Sequence, residues 1–193
     1  MLLLVYMKHR IFIAVNLPEK IKKTFFNYQI KFPDFPIKWV KKENMHITLI
    51  FIGDVKDENI PSVCEAVKKA CSQHNSFKIN LNEISYGPPK KLPPRMIWGR
   101  GDQPDELVNL KTDLEKYLIE SKIGFIEDNK KFHTHITLGK IRTWEWKRIE
   151  PEERPDIVEE TNLDFEVNSI EVTESTPKRT GAEYNTLLSV KLN

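Results

Sequence analysis

One short phrase occurs twice in this chain and constrains its fold more than any other feature. The tetrad His-Ile-Thr-Leu lies at His46–Leu49, inside an apolar run, and is repeated letter for letter at His135–Leu138. In a β-strand, residues i and i+2 share a face and lie about 6.5–7 Å apart. Each copy therefore predicts a strand that presents an imidazole and a hydroxyl on one face and buries Ile and Leu on the other.

The segments around the two tetrads predict an imperfect duplication. Gly53 and Asp54 are expected to end the first motif strand, 87–94 to be a proline-rich loop, and 144–155 to be irregular. Several helices and many strands, without strict alternation, predict one bilobal α+β domain over residues 1–193, with mostly antiparallel sheets. Strands are predicted at 10–15, 37–40, 45–52, 77–84, 95–99, 131–141, 163–167, 169–172 and 184–192, and helices after Pro18, over 57–74 and from about Pro104.

The charge balance indicates which kind of substrate the protein binds, and the cysteine content indicates its cellular compartment. The 30 Lys and Arg residues nearly cancel the 28 Asp and Glu residues, which argues against a long clamp on duplex nucleic acid and favours a small or terminal anionic substrate. Cys64 and Cys71 lie on one predicted helix face and are expected to be buried free thiols in a reducing compartment. We expect a cytoplasmic monomer with no signal peptide and no membrane span, in which residues 1–9 form a frayed extension.

The paired tetrads suit acid and base catalysis on a phosphate ester. Imidazole titrates near pH 6.5, so one histidine can take a proton from water while the other gives a proton to the leaving oxygen. If a cyclic phosphodiester lies between them, the hydroxyls of Thr48 and Thr137 can bind its non-bridging oxygens. Ring strain assists the reaction, so the interpretation requires neither a metal nor another cofactor. The predicted catalytic residues are His46, Thr48, His135 and Thr137.

Two other interpretations of the same residues remain open. His133 and His135 share a strand face, and with His46 they could form a three-histidine zinc site of a hydrolase. Against this, a zinc site does not explain why a threonine recurs two residues after each histidine, and position 44 is Asn44. Alternatively, the tetrads have only a structural role, because Ile-Thr-Leu is a favourable strand composition. The same four residues would then have to occur in two strands by chance.

The residues flanking the tetrads resemble a known family. The motifs are RIFIAVNLP at 10–18, HITLIFIG at 46–53, RMIW at 95–98, HITLGK at 135–140 and GAEY at 181–184. Together they resemble the two-histidine phosphoesterases, and within them the RNA 2′,3′-cyclic phosphodiesterases, also called 2′-5′ RNA ligases, the LigT-like branch. The resemblance extends from about residue 10 to the C-terminus.

This resemblance implies a fold and a reaction. The fold would have two sheets with pseudo-twofold symmetry flanking a central groove, with helices on the outer faces. The reaction would be metal-independent opening of a terminal 2′,3′-cyclic phosphate to a 2′-phosphomonoester, with reversible ATP-independent 2′-5′ joining at the same site. His46 would be the acid and His135 the base. The implied partners are RNA ends or small cyclic nucleotides; a non-catalytic RNA-end binding module is the alternative.

The resemblance also suggests substrate-binding residues, with two departures. Relatives often carry Pro before the second tetrad and Arg two residues after it, where this chain has Thr134 and Lys140. Lys140 keeps the charge without the bidentate fork of arginine, and Arg142 can compensate. Aromatic faces commonly hold single-stranded RNA, so Phe12, Trp98 and Tyr184 are candidates to stack a base, with core packing as the alternative for each. The candidate groove cations are Arg95, Lys38, Arg100 and Arg179.

Overall fold

The computed structural model describes residues 8–127, 131–179 and 181–193. Its strands are β1 (Lys8–Asn16), β2 (Ile37–Trp39), β3 (His46–Lys56), β4 (Phe77–Gly87), β5 (Met96–Gly101), β6 (His135–Ile141), β7 (Val158–Val167), β8 (Ser169–Lys178) and β9 (Gly181–Lys191). Its α-helices are α1 (Glu19–Gln29), α2 (Ile60–Cys71), α3 (Asp105–Glu120) and α4 (Thr143–Trp146).

The nine strands form a sheet in which the two motif strands are neighbours at the centre. The order is β7-β4-β5-β6-β3-β1-β8-β9, with β2 paired to β6, and each of these pairings is antiparallel. The predicted α+β class with mostly antiparallel strands is therefore confirmed. The two halves of the sheet join through one register pair, Ile47 with Ile136. The pseudo-twofold relation stays a prediction.

The apolar residues of the tetrads pack as their alternation predicts. Ile47, Ile136 and Leu138 are fully buried and Leu49 is nearly so. They join one continuous core with the apolar stripes of the helices, in which Phe25 of α1 lies against Gly99 of β5. Because this face of the sheet is covered, the face that carries the histidines and threonines is left for the groove.

A β-bulge interrupts each motif strand at the same point. Opposite β3, Ile13 pairs with Ile50 and Ala14 with Thr48, so Leu49 is the extra residue. Opposite β6, Ile97 pairs with Gly139 and Trp98 with Thr137, so Leu138 is the extra residue. A bulge shifts the alternation by one residue. The third groove-facing residue of each strand is therefore five positions after the histidine, which makes it Phe51 in one copy and Lys140 in the other.

Several predicted boundaries are wrong for local reasons. Gly53 does not end β3: it pairs with Ile11 at φ +88° beside a second register shift, so it forms a bulge within a longer strand. The second motif strand begins at His135, and residues 131–134 before it are irregular. The region 144–155 includes part of α4 and a 3₁₀ turn at Pro151–Glu153, so it is less irregular than expected.

The structure also tests the predictions made for the N-terminal residues and for the two cysteines. Residues 1–7 of the expected frayed extension lie outside the described residues, but Lys8 and His9 belong to β1 rather than fraying. The thiols of Cys64 and Cys71 are both free; Cys71 is fully buried, and burial raises its pKa to about 12. Across the described ranges, each helix is too short or too polar to cross a lipid bilayer.

Candidate active site

The four candidate catalytic side chains line one cavity on the groove face of the sheet. Because β3 and β6 are adjacent, the two tetrads come together although 89 positions separate them along the chain (135 minus 46). The cavity holds about 150 Å³. Its lining residues are Val40, Asn44, His46, Thr48, His135, Thr137, Lys140 and Tyr184.

Backbone carbonyls orient both imidazoles in the same way. Nδ1 of His46 lies 2.8 Å from the carbonyl oxygen of Asn44, and Nδ1 of His135 lies 2.7 Å from that of His133. A carbonyl oxygen only accepts hydrogen bonds, so each Nδ1 carries a proton. Each Nε2 is therefore the nitrogen that gains or loses a proton. The carbonyl acceptor two residues before each histidine repeats in both copies.

In His46, Nε2 faces the hydroxyl of the same tetrad. In His46 this atom lies 2.9 Å from the Thr48 hydroxyl, which donates to it when the ring is neutral. A threonine suits this position because its β-branch restricts χ1 and favours a strand. When His46 is protonated, its Nε2 becomes a donor, and the Thr48 hydroxyl is then free to donate to another acceptor. The state of this one bond therefore couples the protonation of His46 to the binding of an oxygen ligand by Thr48.

Burial lowers the pKa of both histidines below the ordinary value of 6.5. Desolvation is the main cause for each, and it outweighs the opposing effect of the carbonyl that each Nδ1 contacts. The positive charge of His135 lowers the pKa of His46 further, and that of His133 does the same for His135. In the free protein near neutral pH, both rings are therefore mainly uncharged.

Aromatic rings hold both imidazoles in place. Phe12 stacks on His46 with centroids 4.8 Å apart, and Tyr184 meets His46 edge-on at 5.3 Å. Trp98 stacks on His135 at 3.9 Å. Phe12 and Trp98 are only 4% and 5% exposed, which leaves little surface for a substrate base. These two rings lie where they can hold the histidines in place, and base stacking by them stays a prediction. Tyr184 lines the cavity itself.

Of the predicted substrate-binding cations, only one lines the cavity. Lys140 reaches it because the bulge at Leu138 turns its side chain to the groove face. Arg95 and Arg142 are exposed and lie outside the cavity lining; Arg142 pairs instead with Glu145 at 3.3 Å. The candidate Arg100 is likewise engaged, with Glu83 at 3.0 Å.

Two further pockets open beside the cavity. One, of about 140 Å³, adds Lys38, Trp39 and Lys41 to residues that it shares with the cavity. The other, of about 230 Å³, shares Thr48 and His135 and is walled largely by aromatic rings. Those rings are Phe51, Trp98, Phe125 and Phe132. Sequence reasoning missed Asn44, Phe51, Phe125 and Phe132; the shared spacing of Phe51 and Lys140 after the two histidines was the available signal for Phe51.

The described residues contain no cluster of side chains that would hold the zinc ion of the alternative interpretation. Within residues 8–127, 131–179 and 181–193, no three His, Cys, Asp or Glu side chains are arranged to hold a metal ion. His133 instead turns toward Trp98, with centroids 6.5 Å apart, and contributes its carbonyl to His135.

Comparison with known proteins gives consistent matches over nearly the whole chain. A family model described as LigT like Phosphoesterase matches residues 15–98. The RNA 2′,3′-cyclic phosphodiesterase of Thermotoga maritima is 30% identical over 184 residues, covering 92% of each protein. The protein of the same name from Methanocaldococcus jannaschii is 29% identical, over 92% of this chain and 98% of its own.

Solved structures share the fold. TT0787 of Thermus thermophilus superposes with a TM-score of 0.82 at 23% identity, covering 95% of this chain and 97% of that one. Escherichia coli LigT, in a crystal structure with 3′-AMP, gives a TM-score of 0.77 at 25% identity, covering 97% and 99%.

Proposed function

The chain belongs to the LigT-like phosphoesterases, and from that premise we propose that it is an RNA 2′,3′-cyclic phosphodiesterase that works by paired histidine acid and base catalysis. Its relatives from Thermotoga maritima and Methanocaldococcus jannaschii carry that name. The proposed reaction opens a terminal 2′,3′-cyclic phosphate to a 2′-phosphomonoester, without a metal ion.

One observation carries this proposal. Two imidazoles, each with Nδ1 committed to a backbone carbonyl, line a single small cavity together with Thr48 and Thr137. General acid and base catalysis needs two proton-transfer groups that reach the same substrate, each in a defined tautomer. The matched carbonyl contacts support that arrangement for His46 and His135.

The proposed chemistry follows from these positions. Water attacks phosphorus and gives its proton to Nε2 of His135 as the new P–O bond forms. The bond from phosphorus to the 3′ oxygen breaks, and that oxygen takes a proton from Nε2 of protonated His46. Each proton transfer typically contributes about 10²- to 10⁴-fold. The products are a 2′-phosphate and a free 3′-hydroxyl, and exchange with solvent returns the histidines to their starting states.

The threonines and Lys140 would stabilise the charge on phosphorus. When His46 is protonated, its neighbour Thr48 is released to donate to a non-bridging oxygen, and Thr137 offers the equivalent donor from β6. Hydrogen-bond donors aimed at the oxygens where charge collects act most strongly where water is excluded. Lys140 adds a positive charge at the rim of the same cavity.

The test is turnover of a nucleoside 2′,3′-cyclic phosphate in the presence of EDTA, with product analysis. We expect the 2′-phosphate alone from the wild-type protein, and losses of about 10²-fold or more for His46→Ala and His135→Ala, with circular dichroism unchanged. His133→Ala is the matched control. Under the paired-histidine scheme it keeps most of the activity, whereas a three-histidine zinc hydrolase would lose activity with all three substitutions. Near-full activity of His46→Ala or His135→Ala would refute the scheme.

The alternative of a non-catalytic RNA-end module has its own outcome. Such a module would bind an oligonucleotide with a cyclic phosphate end and release it unchanged. Retention of both tetrads, with both Nδ1 contacts intact, favours the enzyme. Binding without any product from the intact protein would favour the module.

Joining of RNA ends would use the same groups. If the 5′-hydroxyl of a second strand replaces water, His135 takes its proton, a bond from phosphorus to the 5′ oxygen forms, and His46 protonates the departing 3′ oxygen. The product is a 2′-5′ linkage made without ATP. The cavity opens into pockets on two sides, which gives room for a strand on each side of phosphorus. A 2′-5′-linked product from two oligonucleotides is the expected result.

A further inference from the structure

A cluster of lysines lies beside the cavity that holds the histidines. Lys38, Lys41 and Lys140 line the adjoining pocket of about 140 Å³, here named the lysine pocket. It shares Val40, Asn44, Lys140 and Tyr184 with the catalytic cavity. Any ligand with one group against the histidines and a second group next to it would therefore place that second group among these lysines.

The positive charge of the lysine pocket is not balanced by the protein. Its lining contains no Asp or Glu, and in the described ranges none of the three lysine ammonium groups has a hydrogen bond or an ion pair. Other lysines do find carboxylates: Lys31 and Lys42 lie 2.8 Å from Glu159 and Glu19. With a net charge of only +2 overall, the chain has ample acidic residues, and the lysine pocket excludes them.

The register of β2 makes this clustering costly for the free protein. Lys38 and Lys140 are direct partners across the β2–β6 pairing, so their side chains leave the sheet on the same face. Like charges placed directly opposite each other destabilise a sheet. An anion bound between the two ammonium groups would turn this repulsion into attraction, and a phosphate oxygen is a strong acceptor for both.

We propose that the lysine pocket binds the phosphodiester on the 5′ side of the terminal nucleotide, which makes an RNA end the preferred substrate over an isolated nucleoside cyclic phosphate. This inference rests on the proposed function. Lys140 lines both cavities, so the lysine pocket begins next to the site of the reacting phosphorus, where the next phosphate of an RNA strand would lie. Trp39 and Tyr184 supply aromatic surface for the nucleosides on either side of that phosphate.

The other neighbouring pocket fits this role less well. It is walled largely by aromatic rings, and although Lys131 also lines it, its Lys111 is paired with Glu115. An RNA phosphate there would have to compete with that carboxylate. The difference in charge between the two pockets therefore sets the direction in which an RNA strand leaves the cavity.

The experiment compares kcat/KM for four substrates. These are adenosine 2′,3′-cyclic phosphate, the same nucleotide with a 5′-phosphate, the dinucleotide ApA with a terminal cyclic phosphate, and that dinucleotide with an uncharged methylphosphonate linkage. We expect the charged dinucleotide to be best, by about 10-fold over the nucleoside cyclic phosphate. The methylphosphonate should lose most of that gain, and the 5′-phosphate alone should recover part of it.

Variants then locate the effect. Lys38→Gln and Lys41→Gln should each reduce kcat/KM for the charged dinucleotide about 5-fold more than for the nucleoside cyclic phosphate. Lys38→Gln should also flatten the salt dependence for the dinucleotide, because one phosphate contact on a single strand contributes a slope of about 0.7. Lys23→Gln, an exposed lysine of α1 outside every residue set described for the groove, is the matched control and should change neither substrate.

The outcomes separate this inference from the proposed function. If no cyclic phosphate is turned over, the proposed function fails. If all cyclic phosphates are turned over but the methylphosphonate equals the charged dinucleotide, only the lysine pocket inference is overturned. The inference would also be overturned if the 5′-phosphate and the charged dinucleotide raised kcat/KM equally over adenosine 2′,3′-cyclic phosphate. The lysine pocket would then bind a small phosphorylated nucleotide as well as it binds RNA.

Discussion

Replacing Gly87 by Ala tests the stack that holds His135. A Cβ at Gly87 would lie 2.2, 2.5 and 2.6 Å from three indole atoms of Trp98, closer than real Cβ atoms come to any neighbour. Trp98 is only 5% exposed and stacks on the His135 ring at 3.9 Å, so a displaced indole would disturb that ring. Gly87→Ala should therefore displace Trp98 and, through it, His135.

The magnitude follows from overpacking of a filled site. Extra methyl groups in a well-packed interior cost about 1–3 kcal/mol. For a chain of this size each kcal/mol lowers Tm by about 2–4 °C, so Gly87→Ala should lower Tm by roughly 2–12 °C. In a Trp98→Ala background the obstacle is absent and the sign should reverse. There, Gly87→Ala should stabilise the protein by about 0.4–1 kcal/mol, because alanine restricts the unfolded chain.

The assay is urea unfolding followed by far-ultraviolet circular dichroism for the four proteins of this double-mutant cycle. Trp98→Ala alone should cost about 3–5 kcal/mol, which leaves a measurable transition in a protein of ordinary stability. The kcat/KM of Gly87→Ala should fall together with its stability, since His135 loses its position. If Gly87→Ala destabilises the Trp98→Ala protein as much as it does the wild type, the indole is not the obstacle and the reasoning is refuted.

Three further predictions concern charge. Burial lowers the pKa of both His46 and His135, so the form of the free enzyme with one protonated ring is most populated below pH 6.5, and kcat/KM should peak there. The optimum of kcat should lie at higher pH, because the negative charge of the bound phosphate raises the pKa of both histidines. Lys140→Gln should reduce kcat/KM by about 10- to 100-fold while Lys140→Arg stays within about 3-fold, measured on a nucleoside cyclic phosphate. His9 has a raised pKa, chiefly through its hydrogen bond to Glu174, so its stabilising effect is fully present below pH 6.5 and is lost as pH rises through the folded value. Urea unfolding of His9→Gln should thus show a loss of about 1 kcal/mol at pH 6 and a smaller one at pH 9.

Alternation and repetition were enough to predict the centre of the site. The period of two in each tetrad placed Ile47 and Leu49 in the core and His46 on the open face, because each strand is covered on one side only. The repeat then implied that two such strands occupy comparable positions. The tetrads themselves do not predict that β3 and β6 are adjacent in the sheet, since the strand order depends on the pairing of seven other strands.

The errors came from backbone irregularity and from contacts between distant segments. Glycine after an apolar run predicts a strand end at Gly53, although the same conformational freedom allows a bulge within a strand. Base stacking by Phe12 and Trp98 stays a prediction, and the sequence does not show that each ring is buried against a histidine from a different part of the chain. The opposition of Lys38 and Lys140 arises from the short β2 strand, whose partner is set by tertiary structure and not by local sequence.

The paired bulges determine which sequence pattern identifies other chains with this site. A search pattern built on a uniform spacing of two would examine Ile50 and Gly139, which face away from the groove. The informative spacing is two and then three, and its final position carries an aromatic ring in one copy and an ammonium group in the other. Deleting Leu49 or Leu138 would make the strand regular and leave Phe51 or Lys140 on the groove face, now four positions after the histidine, so a search pattern should allow either spacing.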